Sequence, residues 1–308
     1  MMSKIVFFNH FHKGDLHTHK EFIRHLQFEL PDVTFEYMHS NAEKLTAELN
    51  IPLVGSPSEL NNKEPFYYDE DTETLFINTW VGCNWDVFCK HGGINMHTLY
   101  EQWEGIVEQV NEVFDANIKL NEEKESYLPR IKSDLLKIDK IEDYLLTADE
   151  GVRKVLICNN APMSNQSFKS DMKEHILPFA EMYPDTHFIC TNKFDTEGHA
   201  NIKFTDDIIG PVDGGDLQEI SYLSRNCDVI IGKNSGPYVF CETYDNYMDD
   251  TKTFISFNTK HPDYEDVQET MSNGLKLKCS YKAIPILSND LTEKDHENIM
   301  AALNEALA

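Results

Sequence analysis

The chain has 308 residues, 41% of them apolar, and a formal charge of −26. That length builds one large or two ordinary domains, each with its own core. The acidity excludes nucleic acid as the main partner, because a polyphosphate needs clustered Lys and Arg, and it disfavours an anionic membrane face. A small phosphorylated ligand stays compatible with it, since one local cation and a helix terminus suffice. No apolar run reaches the length of a membrane span, and Met1 to Phe8 is too short for a signal peptide, so a cytoplasmic location is expected. The seven cysteines (83, 89, 158, 190, 227, 241 and 279) mostly sit within or beside apolar runs and read as buried reduced thiols.

In chain order, Lys4 to Phe8 is a first strand, and the polar stretch from Asn9 to His19 is the loop after it. Phe22, Ile23, Leu26 and Leu30 then recur at helical spacing, and Pro31 stops the helix. The stretch carries four imidazoles and one carboxylate. A loop spacing of His-x-His without a matching carboxylate pattern does not make a metal site. It does supply candidate acid–base groups, Asp15, His10, His12 and His17; the competing reading has Asp15 or Thr18 capping the helix among solvated imidazoles. Val33 to Tyr37 alternates like a second strand, residues 42–49 form a short helix, and Ile51 to Val54 is extended. Asp69, Glu70 and Asp71 precede another strand and read as a hairpin turn rather than a cation site. After the strand Leu75 to Trp80 comes a long aromatic loop, 81–95, in which Trp80, Asn84, Trp85 and His91 suit a sugar ring or another amphipathic acceptor. Cys83, Cys89, His91 and His97 lack zinc-ligand spacing. Leu99, Trp103, Ile106, Val110 and Phe114 mark a long amphipathic helix, and Ile131 to Leu145 a second. Thr147 to Gly151 is a boundary.

An α/β rhythm then begins again. Strands are expected at Lys154 to Cys158, His187 to Cys190, Asn201 to Phe204, Val229 to Gly232, Lys252 to Asn258 and Ala283 to Ile286. Met172, Ile176, Leu177 and Ala180 carry one helix, Leu217, Ile220, Leu223 and Cys227 another, and Thr292 with Asp295 opens a terminal one. Val229 to Phe240 is a buried strand, a small-residue turn and a helix start. In an open α/β sheet such a turn lies at the carboxyl edge where ligands sit. Ser235 and Gly236 let the backbone approach a ligand there, and helix N–H groups favour a phosphate.

This order of features resembles the GT-B architecture, and the second half resembles glycosyltransferase family 9, the heptosyltransferase-like group. Gly14 and Asp15 before a helix, the strand and polar loop at 154–167, and above all the run from Leu217 through Glu219, Cys227, Asp228 and Gly232 to Asn234, Ser235, Gly236 and Pro237 carry the likeness. Two departures stand out. Asn234 occupies the place of a usual carboxylate, and the loop 159–167 lacks the basic residue that commonly faces a diphosphate, with Lys169, Lys193 and Lys233 as candidate replacements.

The resemblance implies an α/β chain of two facing Rossmann-like parallel-sheet domains of GT-B type with a central cleft. An acceptor-side domain would occupy 1–150, and a nucleotide-sugar donor domain with a terminal helix 151–308. The expected function is a metal-independent glycosyltransferase, hexosyl or heptosyl, that moves a sugar from a nucleotide-diphospho-sugar to a carbohydrate or other acceptor hydroxyl. Asp15 is assigned as base, with His10, His12 and His17 as alternatives. Ser235, Gly236 and Lys233, with Asn160 and Ser164, are assigned to the phosphates; Thr191, Lys193, Asn234 and Pro237 complete the donor contacts. Asp207, Ile208 and Glu219 lie near the nucleoside by resemblance. Neither metal nor cofactor is expected, the nucleotide-sugar being a co-substrate, and no integral membrane contact is expected. The alternatives are a sugar-nucleotide epimerase or hydrolase of the same fold and a non-catalytic nucleotide-sugar or carbohydrate binding protein.

Overall fold

The computed structural model describes residues 4–148, 151–160, 168–233, 235–259, 271–286 and 290–308. The chain divides into two compact units, Met1–Arg130 with Met271–Lys276 and Ile131–Thr270 with Leu277–Ala308. The sequence pattern suggests a junction at 150/151; the units part at Arg130, so the helix ahead of 150 travels with the second.

Unit 1 runs β1 (Lys4–Phe8), α1 (Lys13–Glu29), β2 (Thr34–Met38), α2 (Glu43–Leu49), β3 (Phe66–Asp69), β4 (Thr74–Asn78), α3 (Trp85–His91) and α4 (Met96–Phe114). Its sheet has the order β2-β1-β4-β3, the first three parallel and β3 antiparallel to β4. As the unbroken apolar run requires, Ile5, Val6, Phe7 and Phe8 of β1 are all buried. On the helices, Phe22 of α1 stacks on Trp103 of α4 with ring centroids 5.2 Å apart. Full burial of each such side chain stabilises by about 1.5–3 kcal/mol. The Asp69 carboxylate closes the hairpin turn by accepting from the Asp71 amide (3.0 Å) and the Thr72 hydroxyl (2.7 Å).

Three segments differ from their sequence pattern, each for a local reason. The loop after β1 is only Asn9 to His12, because the Asn9 side chain accepts from the Phe11 and His12 amides and starts α1 early, so Asp15, His17 and His19 are helical. The aromatic stretch after β4 holds the helix α3, capped by the Asn84 side chain and ended by Gly92 at a φ of 74°. Of the helical pattern from Ile131, only α5 (Asp139–Thr147) is α-helical, with a short 3-10 turn at Ser133–Leu135.

Unit 2 continues from α5 with β5 (Lys154–Cys158), α6 (Lys173–Met182), β6 (His187–Cys190), β7 (Ile202–Phe204), α7 (Thr205–Ile209), α8 (Leu217–Ser224), β8 (Val229–Lys233), α9 (Gly236–Cys241), α10 (Tyr244–Tyr247), β9 (Thr253–Thr259), β10 (Ser280–Ile286) and α11 (Glu293–Leu307). All six strands are parallel in the order β10-β9-β8-β5-β6-β7. Counting β5 as the first strand, this is the dinucleotide-binding order 3-2-1-4-5-6, which reverses between β5 and β8. Val155, Ile157, Val229, Ile231 and Phe257 of the strands pack with Ile176 and Phe179 of α6 and Ile299 and Leu303 of α11. Pro285 is accommodated because β10 is an edge strand. Thr292 and Asp295 form the capping box of α11. Six of the seven free cysteines are buried and Cys89 is exposed. Among the described residues no helix is long and apolar enough to cross a membrane.

Candidate functional site

In unit 1 the sheet order reverses between β1 and β4, and the carboxyl ends of these strands are tied by Asn9. This wholly buried side chain accepts from two amides of the turn into α1, while its Nδ2 donates to Asp15 Oδ2 at 3.1 Å and to Thr79 Oγ1 at 3.5 Å. The Tyr37 hydroxyl of β2 meets Thr79 Oγ1 at 2.7 Å, so the ends of three strands share one polar network. Asp15 sits in the first turn of α1, 8% exposed. Burial pushes its carboxyl up to about 7, with the Asn9 hydrogen bond acting in the opposite direction.

The four imidazoles separate. His10 is half-buried against the edge of Phe8, and no described residue bonds its Nδ1. His12 is half-buried at the start of α1, its pKa lowered by burial, and it neighbours His39. His17 is buried beside Lys20 and Arg24; burial and then those two charges hold it well below its ordinary pKa. His19 is structural: its Nδ1–H donates to the Asp15 carbonyl at 2.7 Å and its ring meets Trp103 edge-on. Asn9 and Thr79 were absent from the residues selected by sequence. Their signal is positional, a polar side chain directly beyond the last strand residue.

The aromatic residues divide too. Trp80 packs on Phe11 at the same sheet edge, centroids 5.3 Å apart. Trp85 stacks on Phe88 and remains 53% exposed. Asn84 caps α3, accepting from the Val87 amide at 3.3 Å. His91 is turned to Glu101, Nε2 to Oε2 at 2.6 Å, a carboxylate that Lys90 also binds.

In unit 2 the corresponding reversal brings the ends of β5 and β8 together, with Cys158 opposite Gly232. Gly232 is required there: a Cβ would lie 2.6 Å from Cys158 Cβ and 2.7 Å from the Tyr238 ring. Beyond it, Ser235 opens α9, and its buried hydroxyl has no partner among the described residues. Asn160 Oδ1, beyond β5, is likewise buried and unpartnered. Two unpaired oxygens at a sheet's reversal point leave hydrogen-bonding capacity for a ligand. Lys233 is buried; its ammonium donates to the carbonyls of Phe168 (3.2 Å) and Ser170 (2.8 Å), and burial lowers its pKa to about 8. Thr191 is buried at the end of β6, where its hydroxyl accepts from the Asn159 amide at 3.1 Å. Lys193 is exposed and pairs with Asp207 of α7 at 2.7 Å. Ile208 is buried in α7, Glu219 in the first turn of α8, and Gly236 and Pro237 form the first turn of α9. Ser164 and Asn234 lie outside the described residues.

The chain as a whole superposes on solved glycosyltransferases. A glycosyl transferase family 9 structure from Veillonella parvula matches with a TM-score of 0.52 and 11% identity, over 99% of this chain and 97% of that one. The fold is GT-B, that of glycosyltransferase family 9. The ADP-heptose lps heptosyltransferase II of E. coli matches at 0.51 and 11% identity, over 99% and 98% of the two chains. E. coli heptosyltransferase WaaC, solved with ADP-2-deoxy-2-fluoro heptose, matches at 0.50 and 9% identity, over 98% and 99%. No protein-family model matches the sequence, and no curated protein matches it. At such identities the likeness is one of fold.

Proposed function

We propose that the chain is a metal-independent glycosyltransferase that moves a hexosyl or heptosyl unit from a nucleotide-diphospho-sugar to an acceptor hydroxyl. The observation that carries the proposal is Asp15, a buried carboxyl at the carboxyl edge of the unit 1 sheet whose pKa is raised to about 7. A general base matched to neutral pH takes a hydroxyl proton with the best balance of ionisation and basicity. His10 and His12 are the nearest alternatives in sequence; His17, among Lys20 and Arg24, is the poorest base of the set.

The departing diphosphate needs donors aimed at its growing charge. We assign these to the amides of Ser235 and Gly236, the Ser235 hydroxyl, Asn160 and Ser164. Lys233 and Lys193 already bind carbonyl and carboxylate oxygens, so they act second to neutral donors. Thr191, Asn234 and Pro237 complete the donor contacts, with Asp207, Ile208 and Glu219 toward the nucleoside. Trp80, Asn84, Trp85 and His91 are assigned to the acceptor, Trp85 offering an exposed ring face. This chemistry requires no metal. An ADP-linked sugar is the first donor to test, because WaaC was solved with one.

Asp15→Asn is expected to lower turnover by about 10²–10⁴-fold, the usual share of general-base catalysis, with donor binding by thermal shift retained. Unchanged turnover would remove Asp15 as base. A second reading, donor binding without transfer, is favoured by the engagement of Lys233 and Lys193. It predicts a melting shift with nucleoside diphosphates and no turnover in the unaltered chain. Donor consumption without acceptor would instead indicate the epimerase or hydrolase alternative.

A further inference from the structure

Away from the residues assigned above, α6 and α11 bring three metal-ligand side chains of unit 2 together. Glu174 and His175 lie in the first turn of α6 and His296 near the start of α11, two helices that share one apolar core. His175 Nε2 and His296 Nδ1 are 2.9 Å apart, their rings stacked with centroids 4.9 Å apart and planes 15° from parallel. Glu174 Oε1 lies 3.6 Å from His296 Nδ1, and one ligand atom from each residue falls within 4.8 Å of the others. With bonds of about 2.0–2.1 Å to one ion, separations of 2.9 and 3.6 Å subtend roughly 90° and 120°, within a distorted tetrahedral shell.

His175 is 1% exposed, and no described residue bonds its Nδ1. A hydrogen bond between the rings would satisfy the facing pair of nitrogens, but it makes no use of the carboxylate beside them. Two imidazoles and one carboxylate are instead the donor set of open zinc sites, in which water completes the shell. Entry is open, because the His296 and Glu174 side chains are 36% and 62% exposed. The charge of −26 also enriches cations at the surface.

We propose that Glu174, His175 and His296 form a binding site for a divalent transition-metal ion of the zinc class. The ion would fasten the start of α11 to the start of α6, directly after the 168–171 segment to which Lys233 is bonded. It takes no part in the transfer reaction proposed above, so the two proposals stand or fall separately.

The test uses the untagged full chain, stripped with chelator, dialysed and titrated with Co²⁺ and Zn²⁺. The expected result is one Co²⁺ per chain with visible d–d absorption, displaced by Zn²⁺, and a higher melting temperature with Zn²⁺. His296→Ala and Glu174→Gln are each expected to weaken Co²⁺ binding at least tenfold and to abolish or reduce the Zn²⁺ melting shift. In chelator both variants are expected to match the unaltered chain in far-UV circular dichroism, since neither side chain is buried. Absence of Co²⁺ binding overturns the proposal. Binding that persists unchanged in His296→Ala also overturns it, because the ion would then be on the free cysteines or the imidazoles between His10 and His19.

Discussion

Each unit buries an ionisable side chain where its sheet order reverses, an acid in unit 1 and a base in unit 2. Where the unit 1 sheet reverses, Asp15 is buried with one neutral donor, Asn9, and its carboxyl is raised to about 7. Where the unit 2 sheet reverses, Lys233 is buried against two carbonyl oxygens and its ammonium is lowered to about 8. Desolvation drives both shifts by disfavouring the charged form. The surroundings then decide the use. Asp15 keeps a proton that is readily exchanged at neutral pH. Lys233 is occupied in holding the 168–171 segment, and the free hydrogen-bonding capacity beside it belongs to Ser235 and Asn160. The proposed function uses the first edge to move a proton and the second to hold a ligand.

The sharpest way to break that comparison is stability against pH. Between about 3.8 and 7 the folded chain retains on Asp15 a proton that the unfolded chain has released, so this group lowers stability as pH rises across that window. Below 3.8 it contributes nothing, and above 7 its full cost, on the order of 4 kcal/mol, is present. Asp15→Asn is therefore expected to unfold at higher urea concentration than the unaltered chain at pH 8.5, with the gap closing toward pH 4. Glu242, buried and raised to about 8 against the Tyr247 hydroxyl, adds a slope of the same sign in both chains and cancels in the difference. A gap independent of pH would mean that Asp15 ionises normally.

Much of this was legible in the sequence because strand signals are local. Lys4 to Phe8 and Val229 to Gly232 are apolar runs that only a doubly covered parallel strand explains, and the Thr292–Asp295 cap is written in two residues. The start of α1 was not legible. It depends on Asn9 folding back on two amides, a side-chain choice that polar composition conceals. The likeness in the run up to Pro237 pointed to the carboxyl edge of β8, yet it could not say that Lys233 turns inward. That follows from the carbonyls of Phe168 and Ser170, sixty-odd residues away along the chain. The cluster of Glu174, His175 and His296 was equally hidden, since α6 and α11 meet only in the folded core.

A smaller effect tests the register at the two reversal points. Gly232→Ala forces a Cβ against Cys158 Cβ and the packed Tyr238 ring, neither of which can swing away. A loss of about 1–3 kcal/mol in urea unfolding is expected, together with a weaker melting response to nucleoside diphosphates, because β5 and β8 must shift apart. In unit 1, the nearest atoms to a Cβ at Gly82 belong to the Trp80 ring, at 2.6 Å, and that half-buried side chain can rotate. Gly82→Ala is the matching substitution. It is expected to cost less than Gly232→Ala. Equal losses would mean that the β5–β8 approach is no tighter than an ordinary loop contact.

The smallest expected effect on folding is also the most discriminating for unit 2. Ser235 stands at the start of α9 but its side chain makes no capping hydrogen bond, and its hydroxyl is buried without a described partner. An ordinary N-cap serine replaced by alanine loses about 1 kcal/mol. Here the substitution removes an unsatisfied hydroxyl, whose burial itself costs about 1–3 kcal/mol, so the melting temperature of Ser235→Ala is expected to hold or rise. Affinity for a nucleoside diphosphate is expected to fall about tenfold, the loss of one hydrogen bond to a charged group. A fall in stability with affinity intact would reassign Ser235 from ligand binding to the helix end. A rise in stability with weaker binding would mean that the unpaired hydroxyl is kept for a ligand.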